Sequence, residues 1–190
     1  MEYIPTIIIC IVVFGAIAIC GTAWQPAFAL PVLIKIIEAM NKKLGEKTPN
    51  QKLNDMVFGS YNNKVPNKRT THDWLTRDDG IVDAYIAHPL CGFVPSGGLL
   101  RDMMQGIYYI EQKESLAAMR KDLPVFFIAG AEDPVGSYGK GVQQAATAFT
   151  KEGMQDVTLK LYPDCRHEIL NELNREEVYG DVLKWISEKV

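Results

Sequence analysis

Apolar residues crowd the start of the chain and then settle into two different rhythms. From Ile7 to Cys20 every residue is apolar or glycine, and no charge occurs between Glu2 and Lys35. Two structures fit such a run. Extended to Ile34, it is long enough for a bilayer span, which needs about 20 apolar residues. Lys35, Lys42, Lys43 and Lys47 would then hold its C-terminal side in the cytoplasm. Being rich in Ile and Val, the run also fits a strand covered on both faces of a parallel sheet. Gly21 and Thr22 would end that strand, and Pro26 and Pro31 interrupt any single long helix. A secretory signal fits poorly, because no positive residue precedes Lys35.

From about Pro31 to Lys121 the rhythm is helical and irregular. Val32, Leu33, Ile34, Ile36, Ile37 and Met40 line one helix face. Gly45 to Arg69, rich in Asn, Lys and Pro, reads as loop with a short helix at Lys52–Phe58. Leu100, Met103, Met104 and Ile107 recur at helical spacing within Leu99–Ile110, and Ser115–Arg120 reads as one more short turn of helix. Nothing here alternates as a sheet strand does, so the region reads as a helical cap. Met103, Met104, Tyr108 and Tyr109 fit either an acyl pocket or ordinary core. Cys91 stands near His88, but a nucleophilic thiol needs a lowered pKa that adjacency does not supply, so a small buried thiol is the plainer reading.

In the C-terminal third the pattern becomes regular. Pro124–Gly130 is a short apolar run bounded by Pro and Gly, the mark of a buried strand. Tyr138–Glu152 reads as a helix with Val142, Ala145, Ala146 and Phe149 on one face, and Val157–Tyr162 alternates as a second strand. A closing helix starts near Arg175, with Asn174 as cap, Glu177 as reciprocal partner, and Val178, Val182, Trp185 and Ile186 as buried stripe. Strand–helix–strand–helix predicts parallel strands joined by a right-handed crossover. Functional groups in such sheets gather at the carboxyl ends of strands, and Asp133 and His167 both stand there. The spacing lets Asp133 accept a hydrogen bond from one ring nitrogen of His167, fixing the tautomer and stabilising the imidazolium.

Composition narrows the classes. At 190 residues, with 47% hydrophobic and 23% charged, the chain is one ordinary globular domain. A net charge of −3 gives no bulk attraction to nucleic acid. Cys10, Cys20, Cys91 and Cys165, with His72, His88 and His167, lack the paired spacing of a metal site, so no metal or cofactor is expected. Sparse, scattered cysteines favour a reducing compartment, the cytoplasm, with membrane association through residues 4–20 as the alternative. Gly136–Gly141 looks like a phosphate loop but fails that motif, since Pro134 stands where its first Gly belongs.

Taken together, Pro124–Gly130 with Glu132-Asp133-Pro134-Val135-Gly136, Tyr162-Pro163 through His167-Glu168, Asn171-Glu172 and the Trp185-Ile186 helix resemble the α/β-hydrolase superfamily. The resemblance is to its serine-hydrolase branch of lysophospholipase and monoacylglycerol-lipase-like proteins, of the serine aminopeptidase S33 type. Gly15-Ala16-Ile17 to Gly21-Thr22 is similar to the strand that precedes the cap in that branch. Trp74–Asp78 and Pro89–Phe93 look like its return from cap to sheet.

The resemblance implies a C-terminal portion of an α/β-hydrolase fold with few parallel strands and a helical cap. Its expected parts are an apolar segment 1–14, a core strand and cap entry 15–30, a cap 31–121, and a βαβα unit 122–190. It also implies a Ser…Asp…His triad, with Asp133 and His167 as second and third members and a carboxylic ester, small or lipid, as substrate. The first member is missing. No G-x-S-x-G occurs, and Ser60 and Ser96 both lack the leading Gly two residues before. The expectation is a truncated serine hydrolase, inactive alone. The alternative is a membrane-tethered or partner-binding remnant without enzymatic activity.

Overall fold

The computed structural model describes residues 8–11 and 29–189 of the chain. Among them lies a three-stranded parallel sheet in the order β1-β2-β3. Strand β2 (Val125–Gly130) is central. It pairs on one side with β1 (Ile8–Ile11), Ile8 opposite Val125, and on the other with β3 (Val157–Tyr162), Val125 opposite Val157.

The sequence of β2 explains its position. Val-Phe-Phe-Ile-Ala-Gly has no polar side chain, and all six residues are buried, as a strand covered on both faces must be. Successive side chains alternate between the faces. Val125, Phe127 and Ala129 pack on Val142, Ala145 and Ala146 of α6 (Lys140–Lys151). Phe126 and Ile128 pack on Val178 and Trp185 of α7 (Arg175–Ser187). Phe126 stacks on Trp185 with ring centres 5.3 Å apart, and Phe127 meets Phe149 edge-on at 5.0 Å. Each such buried apolar side chain contributes about 1.5–3 kcal/mol.

The preceding residues form α1 (Ala29–Leu44), α2 (Gln51–Phe58), α3 (Asp79–Ala87), α4 (Gly97–Ile110) and α5 (Lys113–Ala118). Leu33 and Ile37 of α1, Leu53 and Val57 of α2, and Leu100 and Met104 of α4 share one apolar core. Three side-chain caps start these helices. Asn50 accepts from Leu53 N–H, Asp78 from Gly80 and Ile81 N–H, and Ser96 from Leu99 N–H. Helix α3 was not expected from periodicity; Asp78 at its N-cap was the available signal.

Several expectations are corrected. Helix α6 begins at Lys140 and not at Tyr138, because Ser137, Tyr138 and Gly139 all take positive φ (52°, 57° and 78°). Asn174 makes no side-chain bond to an N–H of α7. Its Nδ2 donates to Glu177 Oε2 at 3.0 Å, while its Oδ1 is drawn to Arg77 Nη2 at 2.8 Å. Of the candidate membrane window 4–20, residues 8–11 are a β-strand, and the rest lies outside the described residues. Apart from its end at residues 29 and 30, the core strand and cap entry expected at 15–30 also lies outside them. Among the described residues no helix is long and apolar enough to cross a membrane.

Candidate active site

Two loops leave the carboxyl ends of β2 and β3 and are laced together by backbone. Ala131 N–H donates to Tyr162 O at 2.9 Å, and Glu132 N–H to Cys165 O at 2.9 Å. Gly130 makes this possible. A Cβ there would stand 2.1 Å from Cys165 O and 2.2 Å from Arg166 O, so no other residue lets the loops approach so closely. Asp164, at φ 60°, turns the second loop back over the first.

The lacing brings Asp133 and His167 together. His167 Nδ1 lies 3.2 Å from both carboxylate oxygens of Asp133. Asp133 is 2% exposed, and its Oδ1 also accepts from Val135 N–H at 2.8 Å. A carboxylate only accepts, so Nδ1 is the donor of the pair, and in the neutral imidazole that tautomer leaves the lone pair on Nε2. Trp74 lies against the imidazole with ring centres 5.2 Å apart, and Tyr61 packs on Trp74 at 5.0 Å. Burial, and after it the charge of Asp133, pushes the Tyr61 phenol well above its ordinary value. The pair therefore sits in an aromatic, low-dielectric setting that strengthens its electrostatics.

The backbone beside His167 is held as well. His167 N–H donates to Trp74 O at 3.3 Å and Glu168 N–H to Leu75 O at 2.7 Å. A pocket of about 250 Å³ opens next to the pair, lined among others by Tyr61, Lys64, Tyr138, Asp164 and Arg166. Lys64 Nζ sits 3.9 Å over the Tyr138 ring at its edge. Neither Asp133 nor His167 lines this pocket.

The remaining candidates fall elsewhere. Ser96 caps α4, Ser60 lies in the exposed turn after α2, and neither bonds His167. Cys91 is half-buried, not the buried thiol expected, and its Sγ is 3.6 Å from His88 Nδ1, which already accepts Leu90 N–H. Met104 belongs to the helical core and Tyr109 is 69% exposed, so those two line no common pocket. Among the described residues no group of three His, Cys, Asp or Glu could hold a metal ion.

Comparison with known proteins places the chain in a family. The Hydrolase_4 family model, serine aminopeptidase S33, matches residues 12–174. The chain belongs to this family. A monoacylglycerol lipase of Mycolicibacterium smegmatis is 29% identical over 133 residues, 68% of this chain and 44% of that protein. A thermostable carboxyl esterase from Bacillus coagulans, solved with glycerol, superposes with a TM-score of 0.76 at 26% identity. That match covers 89% of this chain and 55% of the esterase. A lipase in its open form superposes with a TM-score of 0.67 at 24% identity over 89% of this chain and 55% of its own, a likeness of fold. The S33 chain thus has the α/β-hydrolase fold and spans under half the length of the curated relative.

Sequence reasoning reached Asp133 and His167 but missed the residues that hold them. No sequence pattern points to Trp74 against the imidazole, to Tyr61 behind Trp74, or to the bonds that join Arg77, Arg166 and Glu172 beside the His167 loop.

Proposed function

We propose that this S33-family chain supplies the acid–base pair of a carboxylic ester hydrolase of monoacylglycerol or lysophospholipid type. One observation carries the reading: a buried Asp133 held by both oxygens at 3.2 Å from Nδ1 of His167, at the carboxyl ends of adjacent parallel strands. Asp133 fixes the tautomer, so Nε2 of His167 is the base. A serine hydroxyl gives its proton to Nε2 as its oxygen attacks the ester carbonyl. The imidazolium, stabilised by Asp133, then protonates the leaving alcohol. Water repeats the cycle on the acyl-enzyme and releases the acid. Trp74 packs against the ring and is itself backed by Tyr61.

The nucleophile is not among these 190 residues on a G-x-S-x-G elbow, so on their own they do not turn over esters. Residues 31–121 act as the cap above the pair, with 122–190 as the unit that carries it. The free thiols of Cys91 and Cys165 suit a reducing cytoplasm.

The test has two arms. With p-nitrophenyl butyrate, the 190-residue chain should show no turnover that His167→Ala removes. Extended with a segment that carries a G-x-S-x-G serine in a strand–turn–helix setting, it should hydrolyse the ester. His167→Ala or Asp133→Asn should then lower kcat by on the order of 10³–10⁴. Equal turnover in the extended protein with and without His167 would sink the reading.

A further inference from the structure

We propose that Glu172 is the positioning residue for His167, a role that rests on the Asp133–His167 reading above. Glu172 is wholly buried, at 0% exposure, and four donors converge on its carboxylate. Oε1 accepts from Arg166 N–H at 2.8 Å and Arg77 N–H at 3.2 Å. Oε2 accepts from Arg77 Nε at 2.9 Å and Leu173 N–H at 3.1 Å.

These donors belong to two segments far apart in sequence. One is the strap Asp73–Asp78, by which the chain leaves the turn region after α2. The other is the loop that bears His167. Arg166 closes the ring in the opposite direction, its Nη1 donating to Asp73 O at 2.6 Å and Thr76 O at 3.0 Å. Thr76 Oγ1 donates to Asn171 O at 3.0 Å. Arg175 Nη1 reaches Asp78 Oδ2 at 3.3 Å.

His167 stands inside this clamp. Arg166, one residue before it, is tied to Glu172 and to the strap. Glu168, one residue after, is tied to the strap through Leu75 O. The backbone on both sides of His167 is therefore fixed to the same element that presents Trp74 to its ring. A buried carboxylate can accept all four N–H groups at once, which no apolar side chain of that volume can do. The arrangement makes the strap and the imidazole one mechanical unit, so a shift of the helical region at Asp73–Asp78 is felt at Nε2.

Amide hydrogen exchange and the imidazole Nδ1–H resonance, read by NMR on the 190-residue chain, test this. Glu172→Gln should speed exchange at the His167 and Glu168 amides by about tenfold or more while leaving β2 and α6 amides unchanged, and should broaden the Nδ1 proton. Arg166→Met, which removes only the guanidinium bonds to the strap, should do the same to a lesser degree and serves if Glu172→Gln fails to fold. Unaltered exchange at 167 and 168, or a rise that merely keeps step with β2, overturns the positioning role. A wild-type Nδ1 proton that Asp133→Asn leaves in place overturns the underlying pairing instead, a separate result.

Discussion

The surroundings of His167 and the contact of α1 with α4 are both closely packed, yet they treat buried polar groups differently. Around the sheet, Asp133 and Glu172 are each surrounded by donors at hydrogen-bond distance. In the helical core, Asn41 is 4% exposed and neither its Nδ2 nor its Oδ1 has a partner among the described residues. An unpaired buried amide costs about 1–3 kcal/mol. The contrast teaches where geometry is specified. Donors saturate the two carboxylates that hold the His167 loop, while a buried amide is left unpaired where α1 meets α4. The division is local and not one of whole regions, since Gln144 Oε1 of α6 is unpaired among the described residues and buried Asp73 accepts from Arg69 N–H, Thr70 N–H and the Thr70 hydroxyl.

The sharpest way to break the comparison is to attack the sheet itself. Phe127→Ala, in the most buried strand, should cost about 3–5 kcal/mol. Chemical denaturation followed by far-UV circular dichroism should show the whole chain losing stability. A loss under 1 kcal/mol, on the order of a surface change, would mean that the sheet does not dominate.

A smaller effect is expected in the helical core. A Cβ on Gly97 would lie 1.7 Å from Asn41 Oδ1, so Gly97→Ala should cost about 1–3 kcal/mol through overpacking. In an Asn41→Ala background much of that cost should vanish, and a double-mutant cycle measures the coupling. Strictly additive losses would show that Asn41 is not the obstacle.

The smallest effect depends on pH. Burial pushes Glu111, at the C-terminal end of α4, up to about 7 from an ordinary value of 4.5. Between those values the folded state binds the extra proton. The contribution of Glu111 to stability is therefore fully present below about 4.5 and is lost as pH rises through about 7. A carboxylate at a helix C-terminus is unfavourable for the dipole as well. Glu111→Gln should gain on the order of 1–2 kcal/mol at pH 8 and nothing at pH 4. Urea titrations at both pH values decide it, and an equal gain at each would refute burial as the cause.

The same division governs what could be read from the sequence. β2 and β3 were legible because continuous apolar runs and alternation survive translation into buried strands, and Asp133 and His167 followed from their places just past strand ends. The start of α6 was not legible, because three successive residues with positive φ delay it and two of them are not glycine. Asn174 satisfied the capping pattern yet turned to Arg77, a partner 97 residues away. Trp74 meets the His167 ring and Arg77 meets Glu172 across comparable separations, and no local pattern encodes which distant segment a side chain will meet.

The register of β1 carries a kinetic consequence. β2 reaches β3 through a single helix, but Ile8–Ile11 reaches β2 only after the entire helical region has been looped out between them. Loop closure grows costlier with length, by about 0.6 kcal/mol per doubling, and non-local parallel pairing is intrinsically slow. Refolding should therefore assemble β2, α6 and β3 first and dock β1 last. In a pulse-labelling experiment the amides of β3 would gain protection ahead of those at Ile8–Ile11, and simultaneous protection would exclude that order. Until the first strand arrives, one hydrogen-bonding edge of β2 stands open, and this interval is when a nascent chain is most exposed to pairing with a neighbour.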